Sequence, residues 1–343
     1  MTEFQTQMRR ETLEIPEATE RLLSMGDAAI CSAAQALRDQ DPAFLISVAR
    51  GSSDHVATYF KYASELLLGV PVASVGPSVA SVYKRPLRLA GSASIAISQS
   101  GQSPDIVEMA AMAQAGGALS LAITNDPMSP LGQVSDHILN LHAGPEISVA
   151  ATKTFVTSAI AAIWLLAEVA QDQELLRAIR NLPETLALAV QQDWSAVAAA
   201  LEGHNSLYCL GRGPSWAMSN EAALKFKEVC QIHAESYSSA EVLHGPVSLV
   251  GPGFPVLAMT GQDPAEPLLV QVADQISDMG GQVFVTSPLA QKATSLPVVR
   301  SGHFLTDPIV VIAGFYVMVE QVARARGIDP DVPRNLKKVT ETV

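Results

Sequence analysis

The sequence contains an internal correspondence in which short matching segments recur 162 positions apart. The matching pairs are Leu45–Ser53 with Leu207–Ser215, Ala96–Ser98 with Ala258–Thr260, and Ile123–Thr124 with Val285–Thr286. Each segment is a short apolar run that ends in small or hydroxyl residues, which is typical of a buried parallel strand and the turn after it. Three matches at one constant separation indicate a duplicated unit of sheet structure.

Helical patterns lie between these strand segments. Apolar residues recur near the helical spacing of 3.6 over residues 104–116, 153–171, 216–231, 267–279 and 308–326. Strands that alternate with helices of this length predict βαβ units and a mostly parallel sheet in each half. We therefore expect an α/β fold of two tandem domains, each a flavodoxin-like, three-layer arrangement of a sheet flanked by helices.

The length of 343 residues suits two domains of roughly 150 residues each. We expect an N-terminal helical segment over residues 1–40, a first domain over 41–190, and a second domain over 191–343 that includes the C-terminal tail. In open α/β sheets, ligands bind beyond the carboxyl ends of the strands. The loops after the predicted strands are therefore where chemistry is expected.

Composition and charge argue against several classes of function. The net charge is −12, whereas nucleic-acid binding depends on Lys and Arg that neutralise phosphates. The longest apolar runs, 159–167 and 308–319, are shorter than the ~20 residues of a membrane span, and no secretory signal opens the chain. The three cysteines lie far apart without CxxC spacing, which indicates a reducing compartment. We expect a cytoplasmic protein with no nucleic-acid or membrane partner, no metal and no organic cofactor.

The segment from Ser98 to Ser103 is the strongest local indication of a binding site. It reads Ser-Gln-Ser-Gly-Gln-Ser, follows an apolar strand and leads into a helix near Pro104. A hydroxyl-rich turn at a helix N-terminus presents unpaired N–H groups to an anion, and Gln99 and Ser100 add side-chain donors. Such a turn holds a phosphate without a cationic side chain. The alternative interpretation is an ordinary serine N-cap followed by proline.

A second loop of the same character, Arg50-Gly-Ser-Ser53, follows the preceding predicted strand. Because the carboxyl ends of parallel strands meet at one edge of a sheet, both loops are expected at that edge. Gly51, Ser52 and Ser53 would then complete the phosphate pocket.

The second half of the chain is richer in ionisable groups. Glu221, Lys225 and Glu228 are spaced to share one face of a helix. On a solvated face such a pair contributes only ~0.3–0.5 kcal/mol and carries no chemistry. The segment Glu241–Pro246, with His244, follows closely, and a carboxylate with a histidine beyond a strand end suits proton transfer beside a carbonyl. Spacing alone leaves both interpretations open.

The C-terminal tail from Asp329 contains two prolines and little helical patterning. Most tails fray, so the ordinary interpretation of Lys337 and Lys338 is a solvated basic pair. A lysine held in a dry pocket would instead form a Schiff base with a keto sugar. Periodicity does not decide between these two interpretations.

Taken together, these motifs resemble the isomerase half of glutamine–fructose-6-phosphate aminotransferase, which is built from two sugar isomerase (SIS) domains. The resemblance extends over nearly the whole chain and implies two tandem SIS domains. The matching segments are Arg50–Ser53, Ser98–Gly101, Glu146–Phe155, Gly211–Gly213, Glu221–Glu228, His233–Glu235, His244–Pro246 and Pro333–Lys338.

The resemblance also implies roles for individual residues. Glu228 would move a proton between C1 and C2 of the sugar, while Glu221 and Lys225 would support the open-chain intermediate. His244 would reach in from a neighbouring subunit to assist ring opening, which implies a homodimer with shared active sites. Lys338 would pair with Glu228 or form a Schiff base with a ketose. The residues implied to bind the sugar phosphate are Gly51, Ser52, Ser53, Ser98, Gln99, Ser100, Ser103, Val149 and Ala151.

The chain also departs from the aminotransferases. Those enzymes begin with a glutaminase domain whose N-terminal cysteine releases ammonia, whereas no such domain opens this sequence and its first cysteine is Cys31. Gln102 stands where the family usually has an acidic residue, and Ala240–His244 replaces a Gly-Glu-Leu-Lys-His pattern. These differences resemble stand-alone relatives, namely amino-sugar-phosphate deaminases and deglycases of sugar–amine adducts.

The leading hypothesis is a phosphosugar aldose–ketose isomerase and deaminase that converts glucosamine 6-phosphate to fructose 6-phosphate and ammonia. A fructosamine-phosphate deglycase or a simple phosphosugar isomerase is the alternative within the same chemistry. A non-catalytic phosphosugar-binding regulator is the alternative of another class. The joint presence of Glu228, His244 and Lys338 favours an enzyme, because a regulator needs only the serine loops.

Overall fold

The computed structural model describes residues 5–338, which form two compact units, each around its own sheet. The first unit comprises residues 17–146, 153–180 and 337–338. The second unit comprises residues 5–16, 147–152 and 181–336. Each unit is therefore assembled from segments that are distant in sequence. The domain boundaries at residues 40 and 190 stay a prediction.

The sheet of the first unit has five parallel strands in the order β2-β1-β3-β4-β5. Every residue of β1 and β3 is buried, as expected when helices cover both faces of a parallel sheet. Side chains from Ile46, Val48 and Ala96 form a core with Ile106 and Met109. The strands are β1 (Leu45–Val48), β2 (Val72–Ser74), β3 (Ala93–Ile97), β4 (Leu119–Thr124) and β5 (His137–Asn140).

The sheet of the second unit also has five parallel strands, in the order β10-β9-β8-β6-β7. Counted from β6, this is the same flavodoxin-like topology as in the first sheet. The predicted fold class of two α/β domains with parallel sheets is confirmed. The strands are β6 (Ser206–Gly211), β7 (His233–Ser238), β8 (Pro255–Ala258), β9 (Gln282–Val285) and β10 (Thr294–Ser295).

Helices flank both sheets, and the five helices predicted from periodicity begin and end within two residues of the predicted positions. The first seven helices are α1 (Gln7–Leu13), α2 (Ile15–Met25), α3 (Asp27–Gln40), α4 (Ser52–Leu67), α5 (Ser78–Ser81), α6 (Pro104–Ala115) and α7 (Pro130–Gln133). The other seven are α8 (Lys153–Ala170), α9 (Gln173–Arg180), α10 (Leu182–Ala189), α11 (Ser195–Ala200), α12 (Pro214–Cys230), α13 (Glu266–Asp278) and α14 (Asp307–Ala325).

Two helices, α8 and α14, are long and apolar enough to cross a membrane by length and composition. In each of them, 83% of the most apolar window is buried inside the structure. A helix that is apolar on all sides is buried in this way in the core of a large domain. In α14 the buried Glu320 is paired with Arg9 of α1.

Two glycines shape the turns that lead from strand to helix at equivalent places in the two sheets. Gly51 follows β1 with φ 55° and ψ −133°, and Gly213 follows β6 with φ 58° and ψ −138°. Glycine adopts such angles without the steric strain that a side chain would meet. Each glycine is the N-cap of the next helix, so the helix N-terminus begins directly at the carboxyl edge of the sheet.

Candidate functional site

The turn between β3 and α6, residues 98–103, forms the predicted anion-binding loop of the first unit. Gly101 has φ 63°, and a Cβ at this position would lie 2.1 Å from the Oγ of Ser129. The Gly101 N–H donates to the Oγ of Ser98 at 3.2 Å. Ser103 is the N-cap residue of α6, yet its side chain makes no capping hydrogen bond. Ser103 and Pro104 thus occupy the positions that the alternative of an ordinary serine cap predicts, but the Ser103 hydroxyl does not cap the helix, and phosphate binding by this loop stays a prediction.

The loop after β1 is tied to this turn by one ion pair. The Nε and Nη2 atoms of Arg50 each lie 3.0 Å from Oδ2 of Asp105, which is buried in the first turn of α6. This pairing holds the Gly51–Ser53 segment beside residues 98–103. Because Asp105 neutralises Arg50, an anion in this pocket would be held mainly by hydroxyl and amide donors.

The segment after β5 is attached to the same edge of the first sheet. The backbone N–H of Asn125, at the end of β4, donates to the Gln99 carbonyl at 3.0 Å. The Asn125 side chain donates to the Gly144 carbonyl at 2.8 Å and accepts from the Ala143 N–H at 3.0 Å. Residues 143 and 144 thus lie beside the anion loop.

Glu146 connects this segment to the C-terminal tail. Its side chain is fully buried, and Oε2 accepts a hydrogen bond from the Lys338 Nζ at 2.9 Å. Thr154, at the start of α8, donates to the same carboxylate from its N–H at 3.1 Å and from its Oγ1 at 2.6 Å. Lys338 was expected to pair with Glu228 or with substrate; its described ion pair is with Glu146.

In the second unit, Glu221, Lys225 and Glu228 meet on α12. Lys225 Nζ lies 2.5 Å from Oε2 of Glu228 and 3.2 Å from Oε1 of Glu221. The side chains of Glu221 and Lys225 are 0% and 1% exposed, whereas that of Glu228 is 21% exposed. The Tyr316 hydroxyl donates to Glu221 at 3.1 Å. This cluster is therefore not the solvated helical face that spacing alone allowed.

Electrostatics keep Lys225 protonated. Burial alone would lower the pKa of Lys225, but the charges of Glu221 and Glu228, with their hydrogen bonds, outweigh burial and raise the pKa. Lys225 is therefore a permanent ammonium at neutral pH rather than a nucleophile. Two carboxylates share this one cation, and Glu228 is the member of the cluster that reaches solvent.

The remaining predicted residues lie in loops of the second unit. His244 is exposed at the end of a short 3₁₀ turn, Glu241–His244. Val149 and Ala151 are half-buried within residues 147–152. The first unit holds the predicted phosphate residues Gly51, Ser52, Ser53, Ser98, Gln99, Ser100 and Ser103, together with Lys338.

The sequence reasoning missed a buried carboxylate on α1. Glu11 is fully buried and accepts from the Ile147 N–H at 2.5 Å and from the Ser148 N–H at 3.1 Å. It thereby anchors the loop that carries Val149. No local pattern distinguishes Glu11 from the other polar residues of its helix. Glu146, by contrast, lies in a segment that matched the family, which was a signal for its importance.

No group of three or more His, Cys, Asp or Glu within residues 5–338 could hold a metal ion. Serine hydroxyls and helix N-termini suit an anion, and the cluster on α12 suits proton transfer.

Comparison with known proteins places the chain in a family context. The SIS domain model matches residues 33–169 and 200–319. Glutamine–fructose-6-phosphate aminotransferase (isomerizing) from Symbiobacterium thermophilum is 32% identical over 309 residues, covering 85% of this chain and 50% of that protein. The Aeropyrum pernix enzyme of the same name is 34% identical over 313 residues, covering 86% and 50%. The chain thus spans about half the length of the curated relatives it matches.

Solved structures show the same similarity. A candidate phosphosugar isomerase from Silicibacter pomeroyi is 59% identical with a TM-score of 0.93, covering 95% of this chain and all of the other. The C-terminal domain of glucosamine-fructose-6-phosphate aminotransferase from Francisella tularensis is 25% identical with a TM-score of 0.86, covering 96% and 99%. Glucosamine-6-phosphate deaminase from Thermotoga maritima, 19% identical with a TM-score of 0.79 and coverage of 98% and 100%, shares the fold.

Proposed function

The chain belongs to the SIS domain family, and from that premise we propose that it is an isomerising deaminase of an amino-sugar 6-phosphate. The reaction is the conversion of glucosamine 6-phosphate and water to fructose 6-phosphate and ammonia. The observation that carries the proposal is the cluster on α12, in which Glu228 reaches solvent while Lys225 and Glu221 lie buried behind it. A fixed carboxylate of this kind suits the transfer of a proton between neighbouring carbons.

The first unit supplies the groups that we propose bind the substrate. The phosphate is held by the hydroxyls of Ser53, Ser98, Ser100 and Ser103, by the Gln99 amide and by backbone N–H groups at the N-termini of α4 and α6. These donors are fixed by the scaffold rather than recruited by the ligand: Gly101 sets the turn, and the Arg50–Asp105 pair joins the two loops. Prearranged donors of this kind bind without a large ordering cost.

The second unit supplies the side chains that we propose carry out the chemical steps. His244 assists opening of the sugar ring, which exposes the C1 aldehyde. Glu228 then removes the C2 proton and returns it to C1, while O1 gains a proton and the amine nitrogen loses one, which converts the 2-amino aldose into an imine at C2. Water adds to C2, the C–N bond breaks, and ammonia leaves as the C2 ketone forms. Lys225, held as an ammonium, orients the Glu228 carboxylate through their 2.5 Å contact and stabilises negative charge that develops on the sugar.

Alternative functions share parts of this chemistry. A fructosamine-phosphate deglycase and a simple phosphosugar isomerase would use the same proton transfer on a different substrate. A non-catalytic regulator would need only the serine loops. The buried cluster on α12 argues against the regulator. Two carboxylates and one lysine cost free energy to remove from water, so a contribution to stability does not by itself account for their presence. We also propose that the protein acts in the cytoplasm, without a metal or organic cofactor.

The test is incubation of the purified protein with glucosamine 6-phosphate while ammonia and fructose 6-phosphate are measured together. We expect equal release of both, reduced by about 10²–10⁴-fold in Glu228→Gln, because general acid–base catalysis is worth that much. Glu202→Gln, at an exposed position in the same unit, is the matched control and should keep full activity.

Other outcomes reject the proposal in favour of a named alternative. Interconversion of aldose and ketose phosphates without ammonia would identify a simple isomerase. Turnover restricted to fructosamine phosphates would identify a deglycase. Tight binding of a sugar phosphate with no turnover of any of these substrates would identify a regulator.

A further inference from the structure

We propose that Glu146 is a positioning residue for Lys338, fixing the tail lysine at the carboxyl edge of the first sheet beside the anion loop. This inference rests on the proposed function and on the role that the family resemblance implies for Lys338, which is to pair with Glu228 or to form a Schiff base with the ketose. The observation behind it is the 2.9 Å contact between the Lys338 Nζ and Oε2 of Glu146, whose side chain is fully buried.

The carboxylate itself is held rigidly. Thr154 donates two hydrogen bonds to it, at 3.1 Å and 2.6 Å, from the first turn of α8. The N-terminus of this 18-residue helix favours a negative charge. A carboxylate out of contact with water is costly unless a cation pairs with it. Lys338, with its side chain only 25% exposed, supplies a cation to Glu146.

The position of Glu146 in the first unit explains why its ion pair with Lys338 matters for function. Glu146 follows residues 143 and 144, which Asn125 ties to the end of β4. The Asn125 N–H in turn donates to the Gln99 carbonyl within the anion loop. The short backbone segment 144–146 and the hydrogen bonds of Asn125 therefore connect Glu146 to the predicted phosphate site, and Lys338 lies in the same unit as that site.

A lysine on a tail with little regular structure needs such a fixed partner. Residues 333–338 contain no helix or strand, and Lys337 next to Lys338 is exposed. Without Glu146, Lys338 would lose the ion pair that joins its Nζ to a fully buried carboxylate. Precise placement of a reacting group accounts for a large share of catalysis, and an error of about 1 Å can cost 10²-fold.

The first experiment measures the placement directly and does not depend on turnover. The protein is treated with a low dose of an amine-reactive acylating reagent, and the labelling of Lys338 relative to Lys337 is measured by mass spectrometry. We expect Lys338 to be protected in the wild type and the ratio to rise at least about threefold in Glu146→Gln, because the ion pair no longer shields the amine. An unchanged ratio would overturn the proposal.

A matched control separates the loss of this ion pair from a general effect of a Glu-to-Gln change. Glu108 pairs with Lys84 at 2.5 Å on the exposed surface of the same unit. Glu108→Gln should leave the Lys338-to-Lys337 labelling ratio at the wild-type value. A rise in both variants would mean that the labelling reports a loosened fold, and the proposal would fail.

The second experiment measures steady-state kinetics with the sugar phosphate. In Glu146→Gln we expect kcat to fall by about 10- to 100-fold while KM stays within about threefold, because the serine loops still bind the phosphate. Glu146→Asp keeps the charge and should recover part of kcat. A raised KM with unchanged kcat would show a merely structural role and contradict the proposal.

The two experiments also distinguish this inference from the proposed function. If the wild type turns over no sugar phosphate, the proposed function fails while the labelling still tests the placement. If the wild type is active and Lys338 stays protected in Glu146→Gln, the positioning role alone fails. Thermal unfolding of each variant confirms that the comparison is made between folded proteins. If Glu146→Gln does not fold, Thr154→Val, which removes one hydrogen bond that holds the Glu146 carboxylate, takes its place and should also raise the labelling of Lys338.

Discussion

A few buried carboxylates identify the candidate site better than the number of polar residues around it does. Glu11, Glu146 and Glu221 are each buried carboxylates, and each accepts hydrogen bonds from a partner far away in sequence. Buried charges are retained only when they are paired or hydrogen-bonded. Each of these three carboxylates therefore links two segments that are far apart in the sequence.

Gly101 gives a prediction at this scale. Gly101→Ala should destabilise the protein and weaken phosphate binding, because an added Cβ would lie 2.1 Å from the Ser129 Oγ and the backbone φ is 63°. The measurement is the rise in melting temperature that a sugar phosphate produces in each protein. We expect the rise to be lost in the variant.

A second glycine provides the control for that change. Gly69 has a similar φ of 68°, but an added Cβ there would meet nothing within 4 Å. Gly69→Ala should cost only about 1 kcal/mol of backbone strain and keep the full response to the ligand. If the two variants behave alike, steric crowding at the loop is not what makes Gly101 necessary.

Among the elements, α1 shows how a short helix can organise distant loops. Its N-terminus receives the Asp331 carboxylate, which accepts from the N–H groups of Gln7 at 2.6 Å and Met8 at 2.8 Å. Further along the helix, Glu11 holds the backbone of Ile147 and Ser148. The helix therefore joins the start of the tail to the loop that is expected to contact the sugar.

A change in Glu11 tests this role. Glu11→Gln should lower the free energy of unfolding by about 2 kcal/mol, because hydrogen bonds to a buried charged acceptor are lost. It should also raise KM for the sugar phosphate by loosening the segment with Val149 and Ala151. Urea unfolding and steady-state kinetics measure the two effects. Glu20→Gln, at an exposed position of α2, should change neither, and a Glu11 variant with normal stability would refute the anchoring role.

Many of the helices and strands could be predicted from the spacing of apolar residues in the sequence, and those that could not lack such spacing. The helix predicted over 153–171 is observed as Lys153–Ala170, because its long apolar pattern leaves no alternative. Strand β7 was not predicted, since His233–Ser238 is polar and mostly half-buried at the edge of its sheet. The Lys338–Glu146 pair joins residues 192 positions apart, and no local pattern carries such a contact. Spacing brought Glu221, Lys225 and Glu228 together correctly, but only burial distinguishes them from a solvated helical face.

For the whole molecule, the position of His244 bears on whether the active site is formed by one chain or by two. His244 is exposed in the described structure, and the family resemblance implies that it acts in a neighbouring subunit. We therefore propose a homodimer in which each site takes Glu228 from one chain and His244 from the other. This arrangement leads to a prediction that does not depend on the shape of the interface.

Two inactive variants should restore activity to each other. Glu228→Gln and His244→Ala are purified separately, unfolded and refolded together in equal amounts, and assayed with the sugar phosphate. Shared sites predict recovery of about a quarter of wild-type activity, because half the dimers are mixed and each mixed dimer has one intact site. Each variant refolded alone is the control. Recovery no greater than the sum of these controls would show that the two residues serve sites within one chain.

The contacts of α1 also determine the order in which the chain can assemble during synthesis. Arg9 pairs with Glu320, and the Met8 N–H donates to Asp331, so these two partners of α1 are more than 300 residues away, whereas Glu11 meets Ile147 much earlier in the chain. At about 5–20 residues per second, this helix leaves the ribosome tens of seconds before those partners exist. The first unit has by then received nearly all of its chain, up to Arg180. A nascent chain would therefore lack the Arg9 and Met8 contacts until translation is almost complete, and synthesis arrested before Glu320 would leave α1 held only through Glu11.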